Sequence, residues 1–440
     1  MSNHGPIDFV GDRFSTRGVC SRSQRRPVGA LWCAIGLSVI LLSALGGCGG
    51  GNDAPAPATA TSETLVATES SLVAQGKDIF RQDTFGNEIF WTDTLRMHEV
   101  IELSVSPALA LSVGLKVDAD ALPAAVRQAL LDGTADLQSP ATTLALIEAN
   151  AVVGVRGTVE TVNGVKRLTR MGITCALCHS TVDNALGQGI GRRLDGWANR
   201  DLNPGRIIAL SPALSGADKA IYNSWGVGKF DPRHNVDGLN NPVVIPPAYG
   251  LAGVHRITLT GDGDRIAYWN RYVSVVEMGG QGHFEDARLN LNLTRGSADL
   301  VSSKLDALEA YQLSLTAPTP PAGSFDPVAA ARGRALFAGK AQCMTCHSGA
   351  QFTDANERLH PRFDSIAEAD IGGESPSYAS RSATKQYRTA PLKGVWQHAP
   401  YFHDGSSPTL SHVVGRYNQH LSLQLTQQEI SDLSEYLKSL

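Results

Sequence analysis

Cys175-Ala176-Leu177-Cys178-His179 and Cys343-Met344-Thr345-Cys346-His347 are two copies of one pentapeptide, C-x-x-C-H, in a chain of 440 residues. The spacing has a chemical reason. One turn of chain lets two sulfurs reach the two vinyl groups of a single porphyrin, and the adjacent imidazole then lies beneath the iron. Each copy reads as an attachment site for c-type heme, with Cys175 and Cys178 or Cys343 and Cys346 forming the thioethers. His179 and His347 are the expected proximal ligands. A thioredoxin-type dithiol, or half of a zinc site, uses the same cysteine spacing. Neither accounts for a histidine directly after both pairs, and zinc needs four ligands in one place.

The other cysteines, Cys20, Cys33 and Cys48, bring the total to an odd seven, which a plain disulfide framework would leave with one thiol over. Cys20 and Cys33 fall in a leader and Cys48 directly after it. Arg13, Arg17, Arg22, Arg25 and Arg26 precede an uncharged apolar run from Leu31 to Leu45, the pattern of a secretory signal peptide and too short for a comfortable bilayer span. The run ends Leu45-Gly46-Gly47-Cys48, which resembles the lipobox of bacterial lipoproteins. That resemblance implies cleavage of 1–47, a lipid on Cys48, and attachment to the periplasmic side of a bacterial membrane, with Gly49 suiting the outer membrane. Residues 48–75, rich in Ala, Thr, Ser and Pro near their start, are expected to form a flexible tether. The formal charge of −4 gives no basic surface for nucleic acid.

Further along, Thr316 to Ser324 reads TAPTPPAGS, a proline-rich linker between the two motifs. It sets a larger first heme domain, 76–315, apart from a second, 325–440, in a mainly α chain. Asp326 and Pro327 predict the start of a helix running toward the second motif. At the other end Thr426-x-x-Glu429 is a capping box before Ile430, Leu433, Leu437 and Leu440. Helices at both ends, with C-x-x-C-H after the first, look like a cytochrome c domain. The first domain is less regular. Helices are expected over Ala121 to Leu131 and Pro140 to Asn150, the latter capped by Ser139. Asn163-Gly164 predicts a small β-hairpin leading into the first motif. From Gly187 to Gly263 the composition predicts loops.

The segment Tyr387 to Asn418, YRTAPLKGVWQHAPYFHDGSSPTLSHVVGRYN, resembles the C-terminal heme domain of bacterial di-heme cytochrome c peroxidases. Their superfamily also holds the methylamine-utilisation di-heme enzyme and rubber oxygenase. The resemblance implies that the residue fourteen positions after His403, here Tyr417, is the sixth ligand of the second heme; His398 and His403 are the rivals. Tyrosinate is a hard anionic donor favouring ferric iron. It further implies two covalent hemes, peroxidase-like oxidoreductase chemistry and a small periplasmic redox protein as electron donor. The alternative is a carrier with both irons six-coordinate.

A weaker echo lies in the first domain. Pro247 through Gly263 can be laid over Pro391 through Gly405 without a gap, pairing Gly250 with Gly394 and Gly261 with Gly405. A helix over Arg265 to Glu277 would end at Met278, the first choice for a sixth ligand of the first heme, with His98, His234, His255 and His283 as alternatives. The peroxidases place a glutamate and a glutamine over the open heme. Glu277 and Gln281 stand near this place, but the surrounding pattern differs and no catalytic residue is assigned. Trp91, Trp197 and Trp269 are read first as core aromatics. Gly261-Asp262-Gly263-Asp264 is a loose calcium-loop candidate.

Overall fold

The computed structural model describes residues 62–361 and 377–440. The expected signal, 1–47, and Cys48 lie outside them. The principal elements, in chain order, are α1 (Ser62–Gln82), α2 (Ala124–Leu131), α3 (Pro140–Glu148), β1 (Val155–Val162), β2 (Val165–Ile173), α4 (Ile266–Tyr272), β3 (Gly282–Asp286), β4 (Leu291–Arg295), α5 (Leu305–Ser314), α6 (Pro327–Ala338), α7 (Leu410–His420) and α8 (Gln427–Lys438). The protein is helix-rich, and its described strands pair only two by two. Among the described residues no helix is long and apolar enough to cross a membrane.

Two helix pairs frame the molecule, and they repeat one device. Gly76 of α1 is pressed against α5, so that a Cβ there would stand 1.8 Å from the Ala307 carbonyl oxygen; Gly333 of α6 meets the Asp432 carbonyl of α8 at 2.0 Å by the same measure. Only glycine lets helices approach this closely. Four residues after each glycine a phenylalanine packs edge-on against a tyrosine of the partner helix: Phe80 on Tyr311 at 5.5 Å and Phe337 on Tyr436 at 5.2 Å. These contacts correct the tether expected over 48–75. Its last part is already helix from Ser62, because Gly76, Ile79 and Phe80 form the face that α5 buries.

Sequence cues for the second half hold locally. The Asp326 carboxylate accepts from the Val328 and Ala329 amides at the start of α6. The capping box is complete, with the Glu429 amide donating to the Thr426 hydroxyl and the Thr426 amide to the Glu429 carboxylate. Thr316 to Ser324 carries no helix or strand, and Pro318 accepts the Trp396 indole N–H at 3.3 Å.

In the first half the hairpin is longer than its turn signal alone defines. Strands β1 and β2 run antiparallel around Asn163 and Gly164, both at positive φ as this tight turn requires. Asn87 clamps the end of β2, its amide donating to the Ile173 carbonyl and its oxygen accepting from the Ile173 amide. Helix α2 starts later than expected, after Pro123, and α3 begins on Pro140 with no capping bond from Ser139. Two short helices, Pro204–Ile208 and Gly216–Asn223, interrupt the expected loops. Asn203 and Ser215 cap them.

The echo between the halves is structural. Gly250, Thr258 and Gly261 are at positive φ, and so are Gly394, Phe402 and Gly405 in the same register. The bridge Ile257–Gly263 corresponds to Tyr401–Ser407. The Gly250 amide donates to Leu315, just past α5, and the Gly394 amide to Leu440, just past α8. Arg265 and Thr409 then precede α4 and α7.

Candidate functional site

Strand β2 delivers the first motif directly: after Thr174 the chain turns into a short helix, Ala176–His179, with the His179 amide bonded to the Cys175 carbonyl. Gly154, at positive φ, lies against Leu177 inside the motif, where a Cβ would fall 2.2 Å from the Leu177 backbone. The second motif forms the same turn, with the His347 amide bonded to Cys343.

Both histidines have one ring nitrogen held by a backbone carbonyl. His179 Nδ1 lies 3.0 Å from the Pro246 carbonyl and His347 Nδ1 3.0 Å from the Phe352 carbonyl. A ring that donates Nδ1–H to a carbonyl keeps the Nε2 lone pair for iron. Burial pulls the His179 imidazole down to about 4 and lowers His347 also, so both are neutral at pH 7. Cys175, Cys178 and Cys343 form no disulfide, and burial pushes Cys175 and Cys178 up to about 12 and Cys343 to about 11. A redox dithiol needs the opposite shift. Protonated sulfurs beside a carbonyl-oriented imidazole fit covalent heme attachment instead.

The distal sides differ. Tyr417 of α7 is half-buried, its ring 6.3 Å from that of Phe402. Burial pushes its hydroxyl up to about 12, with the Cys343 and Cys346 sulfurs adding to the shift, which places Tyr417 beside the second motif. In the shared register the first half has Val273, equally half-buried and without a donor atom. From Val273 to Glu277 the helix expected over Arg265 to Glu277 widens into a π-turn, closed by the Met278 amide on the Val273 carbonyl. Such turns re-aim single side chains and recur at functional sites.

Here the turn aims Glu277 inward. Its carboxyl is raised well above the carboxylate range, first by burial, while Arg233 opposes the shift. Its charge in turn raises Cys178, so it faces the first motif, and Oε1 has no partner among the described residues. The neighbouring Met278 is buried in the apolar core with Tyr272, Val276 and Phe284, and its carbonyl accepts the Trp91 indole N–H at 3.0 Å. The Gln281 amide packs between Gly86 and Gly296. Trp269 stacks on Tyr272, and Trp197 meets Trp396 edge-on at 5.9 Å across the halves.

The rival histidines sit at the seam between the halves. His403 packs against Tyr387, and its carbonyl accepts from the Val244 amide of the first half. Burial, and then Arg200, push His398 down to about 3. The calcium expectation at Gly261–Asp264 is corrected. The Asp262 carboxylate is buried against Arg233 at 2.5 Å and also accepts from Thr260, so its charge is already neutralised.

Sequence reasoning did not assign Glu277, because the π-turn that aims it has no sequence signature. The register pairing Gly250 with Gly394, extended to Val273 and Tyr417, was the available signal for the asymmetry.

With that geometry established, the class follows from the C-terminal end. A family model described as RoxA-like, cytochrome c-like matches residues 386–418, so this end is similar to a RoxA-like cytochrome c domain. The cytochrome-c peroxidase IdrP2 of Pseudomonas sp. (strain SCT) is 32% identical over 119 residues, 20% of this chain and 31% of that protein. The methylamine utilization protein MauG of Methylorubrum extorquens is 36% identical over 89 residues, 20% of this chain and 24% of that protein. The chain thus spans less than half the length of these curated relatives. Among solved structures, the diheme peroxidase BthA of Burkholderia thailandensis is similar with TM-score 0.32 and 17% identity, covering 54% of this chain and 79% of that one.

Proposed function

We propose that the chain is an exported di-heme c-type cytochrome with two heme domains that acts as a peroxidase-like oxidoreductase. In this reading it is lipid-anchored through Cys48 on the periplasmic side, in the outer membrane, and takes electrons from a small periplasmic redox protein. The observation that carries the activity is the asymmetry of the distal sides: Tyr417 beside the second motif, against Val273 and an unpartnered Glu277 beside the first.

Heme iron, when bound, supplies the redox equivalents and the place where a peroxide coordinates. The protein does the rest. His179 and His347 would hold the two irons, each ring oriented by its carbonyl. Glu277, whose carboxyl burial shifts toward the protonated form, would hold a proton at Oε1 that it can exchange with a peroxide oxygen. The apolar surroundings of Val273 and Met278 keep bulk water from that carboxyl. Tyr417, as tyrosinate, would hold the second heme six-coordinate.

Electron paramagnetic resonance of the ferric protein tests this. One high-spin signal lost on peroxide addition, beside one low-spin signal that Tyr417→Phe alters, is the expected result. Two inert low-spin hemes would instead establish the electron-carrier reading, in which buried Met278 is the ligand of the first iron.

A further inference from the structure

Several buried arginines in this protein carry their own acid. Arg233 pairs with Asp262 at 2.5 Å, Arg381 with Asp231 at 2.9 Å and Asp237 at 2.7 Å, and Arg193 with Asp118 at 3.2 Å. Arg200 and Arg388 do not. Neither has a carboxylate partner among the described residues, and the Nε of each is buried and unbonded. Burial alone lowers Arg388 to about 10; it does the same to Arg200, against only the hydroxyls of Tyr401 and Tyr249. An unpaired buried cation is costly, so both guanidiniums call for an anion.

Their placement is duplicated. Arg388 reaches from the second half to the Arg256 carbonyl of the first, at 2.8 Å; Arg200 reaches from the first half to the Pro400 carbonyl of the second, at 3.0 Å. Residues 256 and 400 correspond in the same register that pairs Gly250 with Gly394. The backbone repeats the exchange, with the Arg388 amide on the Leu259 carbonyl and the Val244 amide on the His403 carbonyl. Each arginine also lies close in sequence to a residue that contacts its own half's motif. Arg388 lies two residues before Ala390, whose carbonyl acts on His347, and Arg200 follows Asn199, whose amide donates to the Cys178 carbonyl. A third arginine without an acid, Arg295, differs: its Nε is on Val275 of its own half and its guanidinium lies over Phe90.

We propose that Arg200 and Arg388 are the cationic anchors of the heme propionates, Arg200 for the heme on Cys175 and Cys178 and Arg388 for the heme on Cys343 and Cys346. The assignment rests on the two-heme reading. A guanidinium matches a carboxylate bidentately, and a propionate is the anion that each bound heme would bring to the seam. The two arginines then set reduction potentials, because a nearby cation favours the ferrous state, which carries one positive charge less.

The test uses the heme-loaded full chain with Arg200→Gln, Arg388→Gln and the corresponding lysine variants. Alkaline pyridine spectra count covalent hemes first, so failure of the two-heme reading is seen separately. Spectroelectrochemical titration should then show a lower potential for the first heme alone in R200Q and for the second alone in R388Q. Each shift should become pH-dependent as the freed propionate titrates, and lysine should restore most of it. Unmoved potentials with both hemes present overturn the proposal. If a glutamine variant does not fold, a heme-loaded wild-type crystal structure decides: propionate oxygens beyond hydrogen-bond reach of both guanidiniums would also overturn it.

Discussion

The two halves close in the same way and differ beside their C-x-x-C-H motifs. Gly76 on Ala307 and Gly333 on Asp432, with Phe80 on Tyr311 and Phe337 on Tyr436, are one packing solution used twice. The turns through Gly250 and Gly394 repeat as well. Yet one register position holds Tyr417 in the second half and Val273 in the first, where a π-turn brings Glu277 forward instead. A shared frame thus leaves this side free to vary, so a tyrosine in one half and a carboxyl in the other need no change of scaffold.

The comparison can be broken most sharply at Glu277. Glu277→Gln keeps the shape but not the exchangeable proton, and peroxide turnover should fall roughly 10²–10⁴-fold in stopped-flow assays; a loss under tenfold would separate the carboxyl from the chemistry. Val273→Tyr tests the asymmetry from the other side. It should give the first heme a second-half-like low-spin spectrum and suppress peroxide binding.

Sharpening the shared frame takes smaller effects. Gly76→Ala and Gly333→Ala should each destabilise by roughly 1–3 kcal/mol through overpacking, read by chemical denaturation. Markedly unequal losses would mean the two helix pairs are not equivalent.

The smallest effect belongs to the first half alone. Burial would raise the Asp286 carboxyl, but hydrogen bonds from Arg288 and Tyr268 outweigh it and hold Asp286 at about 2. A folded value below the ordinary ~3.9 means these bonds stabilise β3 and β4 above about pH 4 and are lost as pH falls through about 2. With Arg288 half-exposed, the contribution is about 1 kcal/mol. Asp286→Asn should therefore lower the melting temperature at pH 7 and converge with wild type near pH 2.

Legibility in the sequence followed the range of the interactions. Local chemistry was readable: the two pentapeptides, the Asp326 cap, the Thr426–Glu429 box and the Asn163-Gly164 turn each depend on a few adjacent residues. What depended on distant partners was not. Nothing near Gly76 announces that Ala307 will lie against it, so helix α1 was read partly as tether. Asp262 looked available for a cation because Arg233, which neutralises it, is separated from it in sequence. The inward turn of Glu277 needed the backbone itself.

The glycine crossings also bear on the order of assembly. In the second half, Arg332 and Asp432, which tie α6 to α8, are 100 residues apart; in the first, Lys304 bonds Asp83 across 221 residues. At equilibrium the longer loop costs little, roughly 0.6 kcal/mol per doubling. During synthesis the difference is larger in kind: the first half's terminal helix must wait for more than half the chain to emerge before α5 can receive it. The motif cysteines of each half thus emerge before its closing helix, by a longer stretch of chain in the first half than in the second.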